Sequence, residues 1–374
     1  MKAKTLHIVA LNIPFPTNYG GVIDIFFKLK ALSELGVKIH LHCFEYGRSQ
    51  APVLEDICEK VHYYSREMNW KNLLSSIPFI VKSRASTKLL ENLSHTKAPI
   101  LFEGLHCCLY LNHPKLKEQK QFVRAHNIES DYYRQLAKSE NKLVTKLYLI
   151  TEYLKIKAYE KYLSRADGVF AISEKDQLTL NKTCNSYLIR AFHPDNKVKS
   201  KTGIGEYAIY HGNLSVAENE NAALFLIKNV FKHLNFDLVI AGARPTKKLR
   251  NEVFQHPNIR LVENPEDSVL EKLLQDAHIQ VLPTEQNTGI KLKLLKSLFQ
   301  GRHCIVNSKM IAETGLEKSC FIVESPKEWI AQIKSLLSIP FGEVEVNKRI
   351  KLLSPYNCVK EAEKINSIIF QQEL

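Results

Sequence analysis

Four stretches of the chain combine residue types that bind anions or handle protons. In residues 14–21, PFPTNYGG, the pair Gly20 and Gly21 stands where a helix is expected to begin. Glycines there let backbone N–H groups approach a phosphate, and the helix dipole favours the anion. A tight turn is the alternative reason for the pair. In 122–136, FVRAHNIESDYYRQL, His126 and Asn127 follow a strand-like run and precede one with helical spacing. A neutral imidazole at a strand end donates to a hydroxyl or a phosphate; the alternative is that both side chains cap the next helix. In 282–301, LPTEQNTGIKLKLLKSLFQG, Thr288, Gly289 and Ile290 offer N–H groups at a helix start, with Lys291 and Lys293 in its first turn and Lys296 beyond. Cations oppose the dipole at a helix N-terminus, so a diphosphate there would offset their repulsion. A solvated basic face is the alternative. In 210–227, YHGNLSVAENENAALFLI, Gly212 and Asn213 end a strand before a helix that Glu218 or Asn219 would cap. Taken alone, that stretch reads as a plain strand-to-helix turn.

These groups need elements that bring them to strand ends. Short β-branched runs are expected as strands at 5–11, 38–44, 61–64, 100–102, 122–125 and 168–172, with helical stretches between several of them. The first shows little alternation, as a strand buried on both faces should. The polar stretch 190–205 reads as a linker. A second series places strands at 207–211, 237–241, 259–262, 279–282, 303–306 and 321–323. Its helices are expected at 219–232, 247–255, 268–275, 290–299 and 327–338, and an amphipathic stretch closes the chain at about 355–372. Strand and helix in alternation mean βαβ units and parallel sheets. The expected architecture is α/β: two doubly wound domains, 1–195 and 196–354, facing across a cleft, with 355–374 packing back on the first. Ligands belong where the carboxyl ends of the strands meet that cleft.

Composition narrows the chemistry. The 374 residues are enough for two domains. No run of about 18 uncharged apolar residues offers a membrane span. Neither a G-x-G-x-x-G fingerprint nor a Walker A loop occurs, which removes support for a dinucleotide or a P-loop nucleotide. The eight cysteines form no C-x-x-C pair, so zinc has no support, and a reducing, cytoplasmic setting is expected. Net charge is +13, and residues 1–195 hold 28 Lys and Arg against 19 Asp and Glu. No nucleic-acid-binding pattern accompanies that excess, so phosphorylated ligands or an anionic membrane surface are the expected partners. The stretch 69–90 mixes Trp70, Leu73, Leu74, Ile77, Phe79 and Ile80 with Lys71, Lys82, Arg84 and Lys88, a mixture suited to an anionic interface. Pro78 interrupts any single helix there, which favours a helix pair packed on the sheet.

The order and spacing of the four stretches resemble the GT-B glycosyltransferases, and specifically the family 4 group. The resemblance also rests on YLITEYLKIKAYEKYLSRADGVFAISEKD at 148–176 and EKSCFIVESPKEWIAQI at 317–333, and covers nearly the whole chain. It implies two Rossmann-like domains and a nucleoside-diphosphate sugar as donor, with no metal and no cofactor. It implies a glycan or lipid-linked acceptor and retention at the anomeric carbon, and the basic first half fits a peripheral place on the inner face of the membrane. Gly20, Gly21, Gly212, Asn213, Arg244, Thr288, Gly289, Ile290, Lys291 and Lys293 would bind the donor, and His126 and Glu285 would serve catalysis. The family carries two glutamates where Thr288 and Lys296 stand here, and Glu285 is the acidic residue nearest the first. Two alternatives remain: a GT-B protein that binds a sugar nucleotide or partner enzyme without turnover, and a nucleotide-sugar 2-epimerase using His126 and Glu103.

Overall fold

The computed structural model describes residues 4–285, 291–312 and 314–370. The chain divides into two compact units, 1–193 with 358–374, and 194–357.

Unit 1 is built on seven parallel strands: β1 (Thr5–Ala10), β2 (Lys38–Glu45), β3 (Lys60–Ser65), β4 (Ile100–Glu103), β5 (Gln121–Ala125), β6 (Gly168–Ala171) and β7 (Ser186–Leu188), in the order β3-β2-β1-β4-β5-β6-β7. Alternate residues of β1 feed opposite faces. Leu6 and Ile8 pack with Ile25 and Leu29 of helix Gly20–Glu34, whereas Val9 packs with Phe102, Val123 and Ile156. The helix Cys358–Phe370 lies against helix Gly20–Glu34 and adds Ala362, Ile365 and Ile369 to the first face.

Unit 2 has six parallel strands: β8 (Ala208–Asn213), β9 (Leu238–Ala243), β10 (Ile259–Glu263), β11 (Ile279–Leu282), β12 (His303–Val306) and β13 (Phe321–Ile322), in the order β10-β9-β8-β11-β12-β13. Both orders reverse direction once, between β1 and β4 and between β8 and β11. Those reversals are where doubly wound sheets receive ligands. Strands β8 and β9 approach so closely that a Cβ on Gly242 would clash with the Gly212 carbonyl oxygen.

Several expectations shift. The unit boundary falls at 193/194 rather than 195/196, because Asp195 accepts from Gln300 Nε2 at 2.5 Å and so belongs with the second sheet. The return to unit 1 begins at 358 rather than 355, because Tyr356 donates to the Thr314 carbonyl at 2.6 Å and packs in the second core. Strand β7 is too short for periodicity to reveal. Helix Glu343–Leu353 opens with EVEV, whose alternation masks helical spacing. Stretch 69–90 is no single helix: a 3-10 turn, Trp70–Leu74, precedes short helices Phe79–Lys82 and Thr87–Ser94.

Candidate functional site

In unit 2 the two lysines meet the switch point. Helix Leu292–Gln300 is the next described element after β11, with Lys291 at its cap position and Lys293 in its first turn. Lys293 Nζ donates to Tyr210 Oη at 3.3 Å and to the Asn219 side-chain oxygen, and it lies over the Tyr210 ring, 5.2 Å from the centroid. Tyr210 comes from β8, and Asn219 from helix Ala217–Phe225, which follows it. Burial pushes the Lys293 ammonium down to about 8, with neighbouring Glu218 acting the other way and Lys291 adding to the lowering. Burial also lowers Lys291, again against Glu218. Glu218 accepts from the Thr284 hydroxyl. Asn307, just past β12, clamps Thr284 from both sides: its Oδ1 accepts from the Thr284 N–H at 3.1 Å and its Nδ2 donates to the Thr284 carbonyl at 2.7 Å. Two partly desolvated ammonium groups at a helix start therefore stand near Glu218, a carboxylate that also accepts from a hydroxyl.

Gly212 lies close behind this cluster. A Cβ on Gly212 would lie 3.3 Å from Asn219 Cγ, crowding the amide that holds Lys293. Asn213 contributes backbone, its carbonyl accepting from Asn219 Nδ2 at 2.9 Å, while its side chain caps Ser215. Arg244 and Glu285 stand apart from these contacts. Arg244 is exposed at the end of β9, at a φ of 50°, with its N–H donating to Asn264 Oδ1. Glu285 is exposed and paired with Lys309 at 2.5 Å. Thr288, Gly289 and Ile290 lie outside the described residues.

In unit 1, Gly20 and Gly21 open their helix, and neither has a positive φ. A turn therefore does not demand glycine there. The preceding loop is pinned by Arg48 from beyond β2, which donates to Asn18 Oδ1 at 2.9 Å and to the Phe15 carbonyl at 3.2 Å. A guanidinium thus stands by the loop that leads to the helix N-terminus.

His126 sits past the end of β5, where the sequence put it, but within a buried ion network. Its Nε2 is 3.1 Å from Glu103 Oε2, and its Nδ1 is 3.8 Å from Asp24 Oδ2. Lys28 Nζ reaches Asp24 at 3.0 Å and Glu103 at 2.8 Å, and Arg124 reaches Asp24 at 2.9 Å. Burial raises the Asp24 carboxyl, but Arg124 and Lys28 outweigh it and hold the group well below the usual carboxylate range. Burial likewise acts upward on Glu103, and Lys28 with the His126 hydrogen bond carries the balance downward. Asp24, Glu103 and His126 hold ligand atoms within 4.8 Å of one another, as a metal would require. The Lys28 ammonium, bonded to both carboxylates, takes the position a metal ion would need, so these residues do not fit one.

A second pair adjoins the network. Gly104, at φ 82° beyond β4, allows close approach: a Cβ there would lie 3.0 Å from His106 Nδ1 and 3.7 Å from His126 Cδ2. His106 Nδ1 is 3.9 Å from Glu129 Oε1. Burial, then the nearby Glu160, pushes the Glu129 carboxyl up to about 8. Burial, with Arg84 adding to it, pushes His106 well below the usual imidazole range. Sequence reasoning missed Lys28, Arg124, His106 and Glu129. A signal was present for the first two: charged residues inside the apolar runs VIDIFFKL and QFVRA have to be paired.

No protein-family model matches the chain. It is 24% identical over 311 residues, 78% of this chain and 79% of the other, to an uncharacterized 44.6 kDa protein of the cps region of Klebsiella pneumoniae. Among solved structures it is similar to a sucrose-phosphate synthase of Thermosynechococcus elongatus, at TM-score 0.67 and 12% identity over 98% of each chain. It is similar to a glycosyltransferase of Rickettsia africae, at 0.65 and 13% identity over 100% of each. A UDP-glucosyltransferase of Polygonum tinctorium gives 0.62 and 12% identity, again over 100% of each. With two parallel doubly wound units and these structural neighbours, the chain has the GT-B glycosyltransferase fold.

Proposed function

We propose that the chain transfers a sugar from a nucleoside-diphosphate sugar to a glycan or lipid-linked acceptor, without a metal and with retention at the anomeric carbon. The observation that carries this reading is the Lys291–Lys293 pair at the β8/β11 switch point. A diphosphate placed there would stabilise both ammonium groups, whose charged form burial disfavours. The same contacts strengthen as charge develops on the leaving diphosphate, which is how such a site lowers a barrier. The leaving phosphate then takes the acceptor proton, so no protein base is required. The likeness to a UDP-glucosyltransferase and to synthases named UDP-forming supports a nucleotide sugar as donor, and the cps-region relative supports a role in polysaccharide assembly. Gly20 and Gly21 at their helix start and His126 beyond β5 are further candidate ligand contacts within unit 1.

The test is a panel of UDP-, GDP- and CMP-linked sugars. Thermal shift should pick out one nucleotide, since saturation at about 100 times the dissociation constant adds about 2.7 kcal/mol. Release of that nucleotide should then rise when a glycan or polyprenyl-linked acceptor is added. Binding without turnover would instead make the chain a sugar-nucleotide binder. Glu103 beside His126 favours one second reading, epimerisation at C2, which would convert a nucleotide sugar with no acceptor present. Lys28 weighs against it, because a carboxylate held by an ammonium is a poor base.

A further inference from the structure

A cavity of about 550 Å³ opens at the amino end of β12 in unit 2, bounded by β13 and by helices Pro326–Leu336 and Glu343–Leu353. Small-molecule sites have volumes of about 300–1,000 Å³. Asn307, which clamps Thr284 beside the Lys293 cluster, stands past the other end of the same strand. The cavity is therefore separate from that cluster. Its buried wall is held firmly. His303 Nε2 lies 2.9 Å from the Ile339 carbonyl oxygen, and the His303 ring meets Phe341 edge-on with centroids 5.3 Å apart. The Arg349 guanidinium lies over the other aromatic partner, 4.6 Å from the Phe341 centroid. Phe321 and Ile339 also line the cavity and are 39% and 47% exposed, which leaves apolar area open at its rim.

The charges that face the cavity are uneven. Lys318, Lys348 and Arg349 line it against a single carboxylate, Glu345. That carboxylate already accepts from the Gly342 N–H at 3.0 Å. Arg349 is buried, and its hydrogen bonds go to neutral oxygens: the Ser200 hydroxyl at 3.2 Å, the Arg302 carbonyl at 2.7 Å, and the Gly301 carbonyl. A buried guanidinium ordinarily meets a carboxylate. Burial pushes Arg349 below its ordinary value, with the Cys304 and Cys320 thiols and Glu345 acting the other way. The Ser319 hydroxyl, on the same lining, is buried with no hydrogen-bond partner among the described residues. Excess positive charge and an idle hydroxyl beside aromatic rings suit a ligand with an anionic head and an apolar body. We propose that this cavity is a second binding site, for a small amphipathic anion: an apolar ring or chain carrying one acidic group. The inference does not depend on the sugar-transfer reading.

The experiment is fluorescence titration of the full chain with anilinonaphthalene sulfonate, an apolar ring system bearing one anionic group, and with its uncharged relative phenylnaphthylamine. The sulfonate should bind at least about tenfold more tightly than the neutral compound. Lys318→Glu with Lys348→Glu should weaken sulfonate binding by roughly tenfold or more and leave the neutral compound unchanged. Ser335→Trp, which fills the cavity, should remove both. These three side chains are exposed, so the melting temperatures should stay near that of the parent. A second readout needs no variant: hydrogen exchange with the sulfonate bound should show protection at 303–306 and 321–322, and none at 208–213. Failure of the parent to bind, equal affinity for the neutral compound, or binding unchanged by either variant would overturn the proposal. So would protection confined to 208–213, or a dimer in solution that Ser335→Trp dissolves.

Discussion

Nε2 of His126 sits 3.1 Å from Oε2 of Glu103, and the same carboxylate accepts Lys28 at 2.8 Å. The imidazole that stands beyond the end of β5 is therefore held by a carboxylate from β4, which is held in turn by an ammonium from the helix behind Gly20. The strand-end geometry of unit 1 and its buried charge balance are one arrangement.

That arrangement predicts a large stability cost for Lys28→Met. Removing the ammonium leaves Asp24 and Glu103 as two buried carboxylates with one cation fewer. Breaking such a pair costs about 3–5 kcal/mol. Urea denaturation should show a midpoint lowered accordingly, and a loss under about 1 kcal/mol would mean that the network is open to water.

His126→Ala should lower turnover by about 10²-fold or more, while nucleotide affinity changes little. A purely supporting role for the ring in the ion network makes the opposite forecast: a lower melting temperature with normal turnover per folded molecule. Measuring both on one preparation separates them, and normal specific activity in a destabilised variant removes His126 from the site.

The alternation that gives two parallel sheets was legible because β1, β2 and β11 are short runs built around aliphatic residues and bounded by turn residues. Strand β7 was not, at three residues, and helix Glu343–Leu353 hid behind EVEV. At the site, the position of Lys293 in the first turn of its helix was legible from the strand-turn-helix pattern. Its partners Tyr210 and Asn219 were not, because they come from 83 and 74 residues away and meet it only through the parallel register of the sheet. Glu285 shows the reverse: it lies near the expected place in sequence, yet its carboxylate is spent on Lys309.

Lys293 should also make binding depend on pH. Burial lowers it to about 8 in the free protein. A bound diphosphate favours the charged form and raises that value, so binding takes up a proton where the free lysine has lost one. Affinity for a nucleoside diphosphate should hold below about pH 8 and fall above it. Lys293→Gln should flatten that fall; a wild-type affinity constant from pH 7 to 9.5 would contradict the assignment.

A different pH dependence comes from β1 and β2. His7 Nδ1 and His42 Nε2 are 2.9 Å apart, and His42 Nδ1 is 2.8 Å from Tyr64 Oη. Burial, then the neighbouring His40, pushes His7 down from 6.5 to about 3. The unfolded chain thus binds a proton that the folded chain refuses. The stability held above pH 6.5 should be lost progressively as pH falls toward 3. Melting temperatures of the parent and of His7→Gln should converge on acidification, and parallel curves would show that His7 is protonated in the folded protein.

On the reading proposed above, unit 2 receives the diphosphate of a sugar donor at Lys293. The most direct measurement is calorimetric titration of the parent and Lys293→Ala with the preferred nucleoside diphosphate and with its nucleoside. The account predicts that the variant loses at least about tenfold in affinity for the diphosphate, the 1.4 kcal/mol or more expected of a charge-assisted contact. Its affinity for the nucleoside should stay unchanged. Equal losses for both ligands, or no loss for either, would put the phosphates elsewhere and contradict the account.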